Sequence, residues 1–264
     1  MILVIDIGNI DTTLGVFAGE TLIKHWRITT HSGRTSDEIG MNVRNLFHYS
    51  NVDMEQIEAV VLSSVVPNVM YSFLNAIRKY LKIEPIEVKS GMKTGINLRM
   101  ENPKEMGSDR IAKLAAAYAL YGGPAMVIDY STATTFDVIN EKGEFLTGVT
   151  APGVQICADA LISRTARLPR FAISMPDSIY TKNTVESMQA GLVLSHIGET
   201  KYMISRIQEE LGIENMKIIA TGGFAKTVDQ EGDIFDAYVP TLSLEGLRIL
   251  YEKNYGKRKK KNKQ

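Results

Sequence analysis

The chain has 264 residues, 44% of them hydrophobic and 23% charged, and its formal net charge is zero. That balance fits an ordinary globular protein of one large domain or two average ones, and a neutral body gives nucleic acid no electrostatic footprint. No apolar run approaches the roughly 20 residues of a membrane helix, the start lacks the features of a secretory leader, and the single cysteine, Cys157, excludes an internal disulfide framework, so a cytoplasmic protein with neither a membrane nor a nucleic-acid partner is expected.

The first element is a strand, the apolar residues 2–5 running into Asp6, followed by a polar turn Gly8-Asn9-Ile10-Asp11-Thr12-Thr13 and a second apolar run at 14–17. A glycine, an amide, a carboxylate and hydroxyls at a strand tip suit a metal-bound phosphate, and Asp6 can hold Mg2+ directly or through water. The same residues also suit an ordinary hairpin whose polar side chains satisfy turn hydrogen bonds. A third strand at 21–27 follows the turn Gly19-Glu20, and Ser36 is expected to cap a helix at 37–49 with Ile39, Val43, Leu46 and Phe47 on one face. A fully apolar strand at 59–65 leads to a helix opened by Pro67 and running to 81, with Val69, Phe73, Ala76, Ile77 and Tyr80 as its buried stripe. After a short strand at 86–88, residues 92–103 have no period and are expected to form a loop.

Ser108 is placed as the N-cap of a strong helix from Asp109, with Ile111, Leu114, Ala115 and Tyr118 on one face and Gly122-Gly123 as its stop. A strand at 125–128 ends in Asp129. A helix at 153–167, one or two helices within 183–211, a strand at 217–220 closed by Thr221-Gly222-Gly223, and a last amphipathic helix at 245–255 complete the order. The basic run 257–264 is expected to be a disordered, solvated tail. Alternating strands and helices define an α/β protein.

Self-similarity adds a constraint. Val4-Ile5-Asp6 aligns with Val127-Ile128-Asp129 at an offset of 123 residues, Thr12 falls on Thr135, and the turn Gly19-Glu20 matches Gly143-Glu144 with one insertion. Chance produces strand-Asp-turn patterns too, but here the match continues into the turn spacing, which favours a duplicated domain. Two such halves would face each other across a cleft with an aspartate at a strand end on each wall, suited to a nucleotide triphosphate and its metal. Neither GxxxxGK[ST] nor GxGxxG occurs, which removes P-loop kinases and the dinucleotide fingerprint.

Asp109, with Arg110 beside it at a helix start, is the carboxylate placed to be ionised at neutral pH and to accept a hydroxyl proton; a capped helix with an exposed Asp-Arg pair explains the same residues. The four histidines are scattered without zinc spacing, and Cys157 is placed in the core.

Taken in order, Asp6-Ile7-Gly8-Asn9, Gly107-Ser108-Asp109-Arg110, Asp129 to Asp137, Pro152-Gly153, Asn183-Thr184 and Thr221-Gly222-Gly223 resemble the type III pantothenate kinases of the acetate kinase, sugar kinase, Hsp70 and actin superfamily. The resemblance runs from Met1 to about Tyr255. It implies two ribonuclease H-like (actin-like ATPase) domains, 1–118 and 119–256, around a central cleft, with the last helix packing back on the first. It also implies ATP-dependent phosphorylation of pantothenate to 4′-phosphopantothenate, the first step towards coenzyme A, by a homodimer. Asp6, Ile7, Gly8, Asn9, Ile10, Asp11, Thr12 and Thr13 would bind the ATP phosphates, with Asp6 towards Mg2+, and Thr132 would bind ATP. Asp129 would hold a monovalent cation, K+ or NH4+. Asp109 would be the general base, and Met100, Gly107, Ser108, Arg110 and Thr184 would join it around pantothenate. Three positions depart from the family pattern: Ile10 where Thr is usual, Ser131 where Gly is usual, and Met100 where an aromatic residue is frequent. A weakly active or regulatory relative, and a kinase for another small hydroxyl acceptor, are the alternative readings.

Overall fold

The computed structural model describes residues 1–89, 91–230 and 232–256, so the basic run 257–264 lies outside the described residues. The chain divides into two compact units, one made of Met1–Ala119 with the C-terminal segment from Thr241, the other of Leu120–Pro240.

In the first unit, β1 (Ile2–Ile7), β2 (Asp11–Ala18) and β3 (Thr21–Thr29) form a meander, and β4 (Ala59–Ser64) and β5 (Ile86–Glu87) extend it in parallel, giving the order β3-β2-β1-β4-β5. Successive residues of a strand face opposite sides of its sheet. Leu3, Ile5 and Ile7 of β1 therefore pack with α1 (Ser36–Tyr49) and α2 (Pro67–Ala76) through Ile39, Val43, Phe47, Val69 and Phe73. Val4 faces the other side, where α3 (Ser108–Tyr121) and α7 (Leu242–Tyr251) contribute Ala112, Ala115, Leu244, Leu247 and Leu250.

The second unit repeats this plan. Its strands β6 (Ala125–Tyr130), β7 (Ala133–Ile139), β8 (Phe145–Pro152), β9 (Lys217–Gly222) and β10 (Ala237–Tyr238) take the order β10-β9-β6-β7-β8, which is the first sheet's order read from the other edge. β6 begins and ends 123 residues after β1. The two matched turn glycines, Gly19 (φ 61°) and Gly143 (φ 72°), both adopt the left-handed conformation that a side chain resists. Ile128, Tyr130, Phe136, Val138 and Ile218 form the second core, packed with Ile207 of the long helix α5 (Thr184–Leu211). α4 (Val154–Ser163) and the four-residue α6 (Ala225–Val228) complete this unit.

Several expectations are corrected. Asp11, Thr12 and Thr13 are not turn residues: they lie in β2 and pair with Thr29, Ile28 and Arg27 of β3, which leaves a tip of only Gly8, Asn9 and Ile10. The N-cap of α1 is Thr35, one residue before Ser36, because Thr35 and Glu38 form a reciprocal capping box. Ser108 is the first residue of α3 rather than its cap, and its hydroxyl donates to the Ser64 carbonyl at 3.4 Å. α3 buries the whole run Ala112 through Ala117, so Leu114 and Ala115 of the expected stripe are buried while Ile111 and Tyr118 stay partly exposed. α4 stops at Ser163, four residues early, whereas 183–211 holds one unbroken helix. The helices opened by Pro67 and by Leu242 each finish in a wider π turn, Ile77–Leu81 and Glu252–Gly256.

α7 reaches α3 at Gly246, where an added Cβ would stand 2.0 Å from the Ala112 carbonyl oxygen. Backbone cannot give way there as a flexible side chain can. Gly246→Ala is therefore expected to cost about 2–3 kcal/mol, measured as a lower denaturation midpoint in urea; an unchanged midpoint would show that the two helices separate freely.

Candidate active site

The pleat that buries Val4 against α3 turns Asp6 to the same side. Asp6 stands directly opposite Thr13 on β2 and Ser63 on β4, and these three polar residues form a row one layer beyond Val4, Gly15 and Val61. Ser63 is fully buried, and its hydroxyl donates to Asp6 Oδ1 at 2.6 Å.

α3 brings a second carboxylate to this side of the sheet. Asp109 lies in the first turn, where a helix favours negative charge. One turn on, Lys113 Nζ donates to Asp109 Oδ2 at 2.8 Å, with side-chain exposures of 11% for Lys113 and 22% for Asp109. The two carboxyls are driven apart. Burial raises that of Asp109, but Lys113, by charge and by hydrogen bond, and Arg110, by backbone N–H and charge, hold it below the ordinary carboxylate value. Burial pushes the Asp6 carboxyl up; Lys113 and the hydrogen bonds from Ser63 and Ser243 lower it, and the negative charge of Asp109 raises it again. The two carboxyls of this cluster are thus displaced in opposite directions, so they differ in which protonation state the fold favours.

Among the residues expected to cradle phosphate, several side chains are engaged inside the unit. Ile7 is buried, the Thr12 hydroxyl pairs with that of Thr30 at 2.9 Å, and Asp11 is bonded to Arg27. The Gly8 N–H donates to the Asp11 carbonyl at 2.9 Å, closing a tight tip on which Asn9 and Ile10 are exposed. Gly107 precedes Asp109 closely enough that a Cβ there would lie 2.5 Å from Asp109 Oδ1. Met100 lies partly buried in the loop before the 3-10 turn Pro103–Glu105.

In the second unit Asp129 repeats the position of Asp6, opposite Thr135 on β7 and Thr221 on β9, and is only 4% exposed. Ser131 Oγ donates to Asp129 Oδ2 at 3.1 Å. Among the described residues, the buried Thr135 hydroxyl on this face has no hydrogen-bond partner. An orphaned hydroxyl on the same face as a buried carboxylate is a donor set that fits a monovalent cation with oxygen ligands. Thr132 is partly buried in the same turn, and its carbonyl accepts from the Gly153 N–H at 3.2 Å. Gly222 folds back on β6, where a Cβ would lie 2.2 Å from the Tyr130 carbonyl oxygen, so Thr221-Gly222-Gly223 is a close-packed turn. Thr184 is exposed at the start of α5 and lines a hollow of about 450 Å³ with Cys157, Leu161, Ser187, Met188 and Leu192. Cys157, placed in the core by its neighbours, is therefore partly exposed at this hollow.

Three residues of the first cluster escape a reading of the sequence: Ser63, Ser243 and Lys113. Ser63 ends an apolar strand and Ser243 sits inside the last helix, neither with a distinguishing pattern. Lys113 leaves a faint trace, a lone charge four residues after Asp109 in the run Ala112 to Ala117.

Two sheets of one topology, each with an aspartate at its central strand end, define a protein of the actin-like ATPase and sugar kinase fold. Solved structures agree at the level of fold: a Campylobacter jejuni protein described as a Baf family transcriptional activator (17% identity, TM-score 0.57, covering 95% of this chain and 98% of that one), and the activator of 2-hydroxyisocaproyl-CoA dehydratase from Clostridium difficile with bound ADPNP (13%, TM-score 0.53, 99% and 97%). Sequence comparison is more specific. Residues 2–206 match the type III pantothenate kinase family. The type III pantothenate kinase of Agathobacter rectalis is 46% identical over 253 residues, covering 96% of this chain and 97% of that one, and its counterpart in Moorella thermoacetica is 46% identical over 254 residues, covering 96% and 100%. The chain belongs to the type III pantothenate kinase family. Among the described residues no helix is long and apolar enough to cross a membrane.

The Gly107 contact separates stability from chemistry. A Cβ at 107 would meet the movable end of Asp109, so Gly107→Ala is expected to keep its stability within about 1 kcal/mol while displacing the carboxylate and lowering phosphotransfer roughly 100-fold. Unfolding midpoints beside turnover numbers test this, and wild-type turnover would mean that the carboxylate position is not critical.

Proposed function

We propose that the protein transfers the γ-phosphoryl group of ATP to the hydroxyl of pantothenate, releasing ADP and 4′-phosphopantothenate at the entry to coenzyme A synthesis. The observation that carries this reading is a partly buried carboxylate, Asp109, in the first turn of α3 and bonded by Lys113, in a chain that shares its family with enzymes of this name. In the reaction the hydroxyl oxygen bonds to the γ-phosphorus, the bond to the β–γ bridging oxygen breaks, and Asp109 takes the hydroxyl proton. Asp6 and the tip of Gly8, Asn9 and Ile10 face the phosphates, Ile7, Asp11, Thr12 and Thr13 support that tip, and Thr132 is a further ATP ligand. Gly107, Ser108 and Arg110 contact pantothenate, with Met100 and Thr184 as additional contacts.

Asp6 is the residue that would hold Mg2+, directly or through water, and burial of its carboxyl favours such a partner. When bound, Mg2+ neutralises charge on the phosphates. Asp129 and Thr135 would hold K+ or NH4+, and when bound that cation would supply a fixed positive charge. The working form is a cytoplasmic homodimer.

ADP release from ATP in Mg2+ and K+, measured with and without pantothenate, tests the assignment. Release that depends on pantothenate is expected, and release indifferent to it would overturn the reading. Asp109→Asn should still bind ATP but turn over about 100- to 10,000-fold more slowly. Replacing K+ by Na+ should lower the rate; full activity in Na+ alone would remove Asp129 from its role as cation ligand.

A further inference from the structure

We infer that Lys113 is the positioning residue of the phosphotransfer base, its ammonium holding the Asp109 carboxylate in one orientation. The inference rests on the proposed kinase activity and extends it to a residue outside the family motif quoted above.

Its setting is unfavourable for a lysine. Ala112, Leu114, Ala115, Ala116 and Ala117 are each at most 1% exposed, and Lys113 within that run is 9% exposed. Burying an ammonium costs several kcal/mol before pairing, and an apolar residue of similar length in such a place is commonly neutral or stabilising. Packing alone would thus favour methionine or leucine. What the lysine gains is a bond to Asp109 Oδ2 at 2.8 Å, in the Asp-to-Lys order that an i,i+4 pair on a helix favours. With Oδ2 tied to Lys113, Oδ1 is turned towards Gly107, the glycine whose added Cβ would stand 2.5 Å away. A carboxylate in a first helical turn otherwise has several rotamers, and misplacement of a base by about 1 Å can cost on the order of 100-fold in rate.

Charge agrees with this geometry: at Asp109 the charge of Lys113 is the largest influence opposing burial. The pairing also weakens Asp109 as a base, so the rate it supports reflects geometry and a fully ionised population rather than high proton affinity.

Lys113→Met, Asp109→Asn and the double variant, assayed by pantothenate-dependent ADP release alongside thermal unfolding, test the inference. Lys113→Met should fold and lose roughly 10- to 100-fold in kcat with little change in either KM, Lys113→Arg should recover most of that loss, and the double variant should be no slower than Asp109→Asn alone. A purely structural ion pair would instead lower stability and leave kcat untouched. Wild-type kcat in Lys113→Met, or a double variant slower by the whole Lys113→Met factor, would overturn the positioning role while wild-type turnover keeps the kinase reading intact. A wild type whose ADP release ignores pantothenate would bring down the kinase reading, and this inference with it. Should Lys113→Met fail to fold, Lys113→Leu also removes the donor to Oδ2 with a different apolar shape, and the same kcat, KM and double-variant comparison applies to it.

Discussion

The alternation of β1 is the constraint on which the rest of the molecule depends. Leu3, Ile5 and Ile7 are committed to the core under α1 and α2, so Val4 and Asp6 must face α3 and α7. A slip of one residue would drive the carboxylate into a fully apolar core, at a cost that no local partner could offset. Burial of three aliphatic side chains therefore fixes where the acid points. Ser63 and Thr13 are carried to the same row by the pairing of β4 and β2 with β1. Helix α3 then needs only its own packing, Ala112 and Ala115 against Val4 and Val61, to bring Asp109 and Lys113 to that side of the sheet.

The two units show how one plan diverges. Both place an aspartate between two hydroxyl-bearing neighbours, Thr13 and Ser63 in one, Thr135 and Thr221 in the other. In the first, a serine bonds the acid and a helix adds a second acid and a base-paired lysine. In the second, the acid is almost fully enclosed and a hydroxyl on its face is left without a partner among the described residues. The departures from the family pattern follow the same division: Ile10 leaves an exposed aliphatic group at the first tip, and Ser131 turns its hydroxyl onto Asp129.

Most of the fold was legible because its signals are local. Continuous apolar runs closed by Gly, Asn or Asp marked the central strands, and the offset between Val4 and Val127 matched the limits of β1 and β6 at both ends. Errors arose where a residue type has two uses. Asp11, Thr12 and Thr13 carry turn chemistry, but β3 was long enough to pair with them. Ser36 and Ser108 are good caps by type, yet Thr35 held the glutamate three residues on, and Ser108 was already inside its helix. The short α6 and β10 are too brief to develop any period. At the site, Asp6 and Asp109 stood out as carboxylates at element ends. Lys113 did not, because a lysine in a helix ordinarily marks a solvated face, and here the whole run Ala112 to Ala117 is buried.

The first unit is discontinuous in sequence: it opens with β1 and includes α7. Leu244, Leu247 and Leu250 cover the side of β1 and β4 that also carries Asp6 and Ser63, and Gly246 brings α7 against the backbone of α3. During synthesis, the part of the protein that emerges first must wait for one of the last helices before its apolar face can close. The second unit, Leu120–Pro240, is continuous and has no such delay. A chain interrupted before Leu242 would thus carry an assembled second unit and a first sheet whose Asp6 side is covered by α3 without α7.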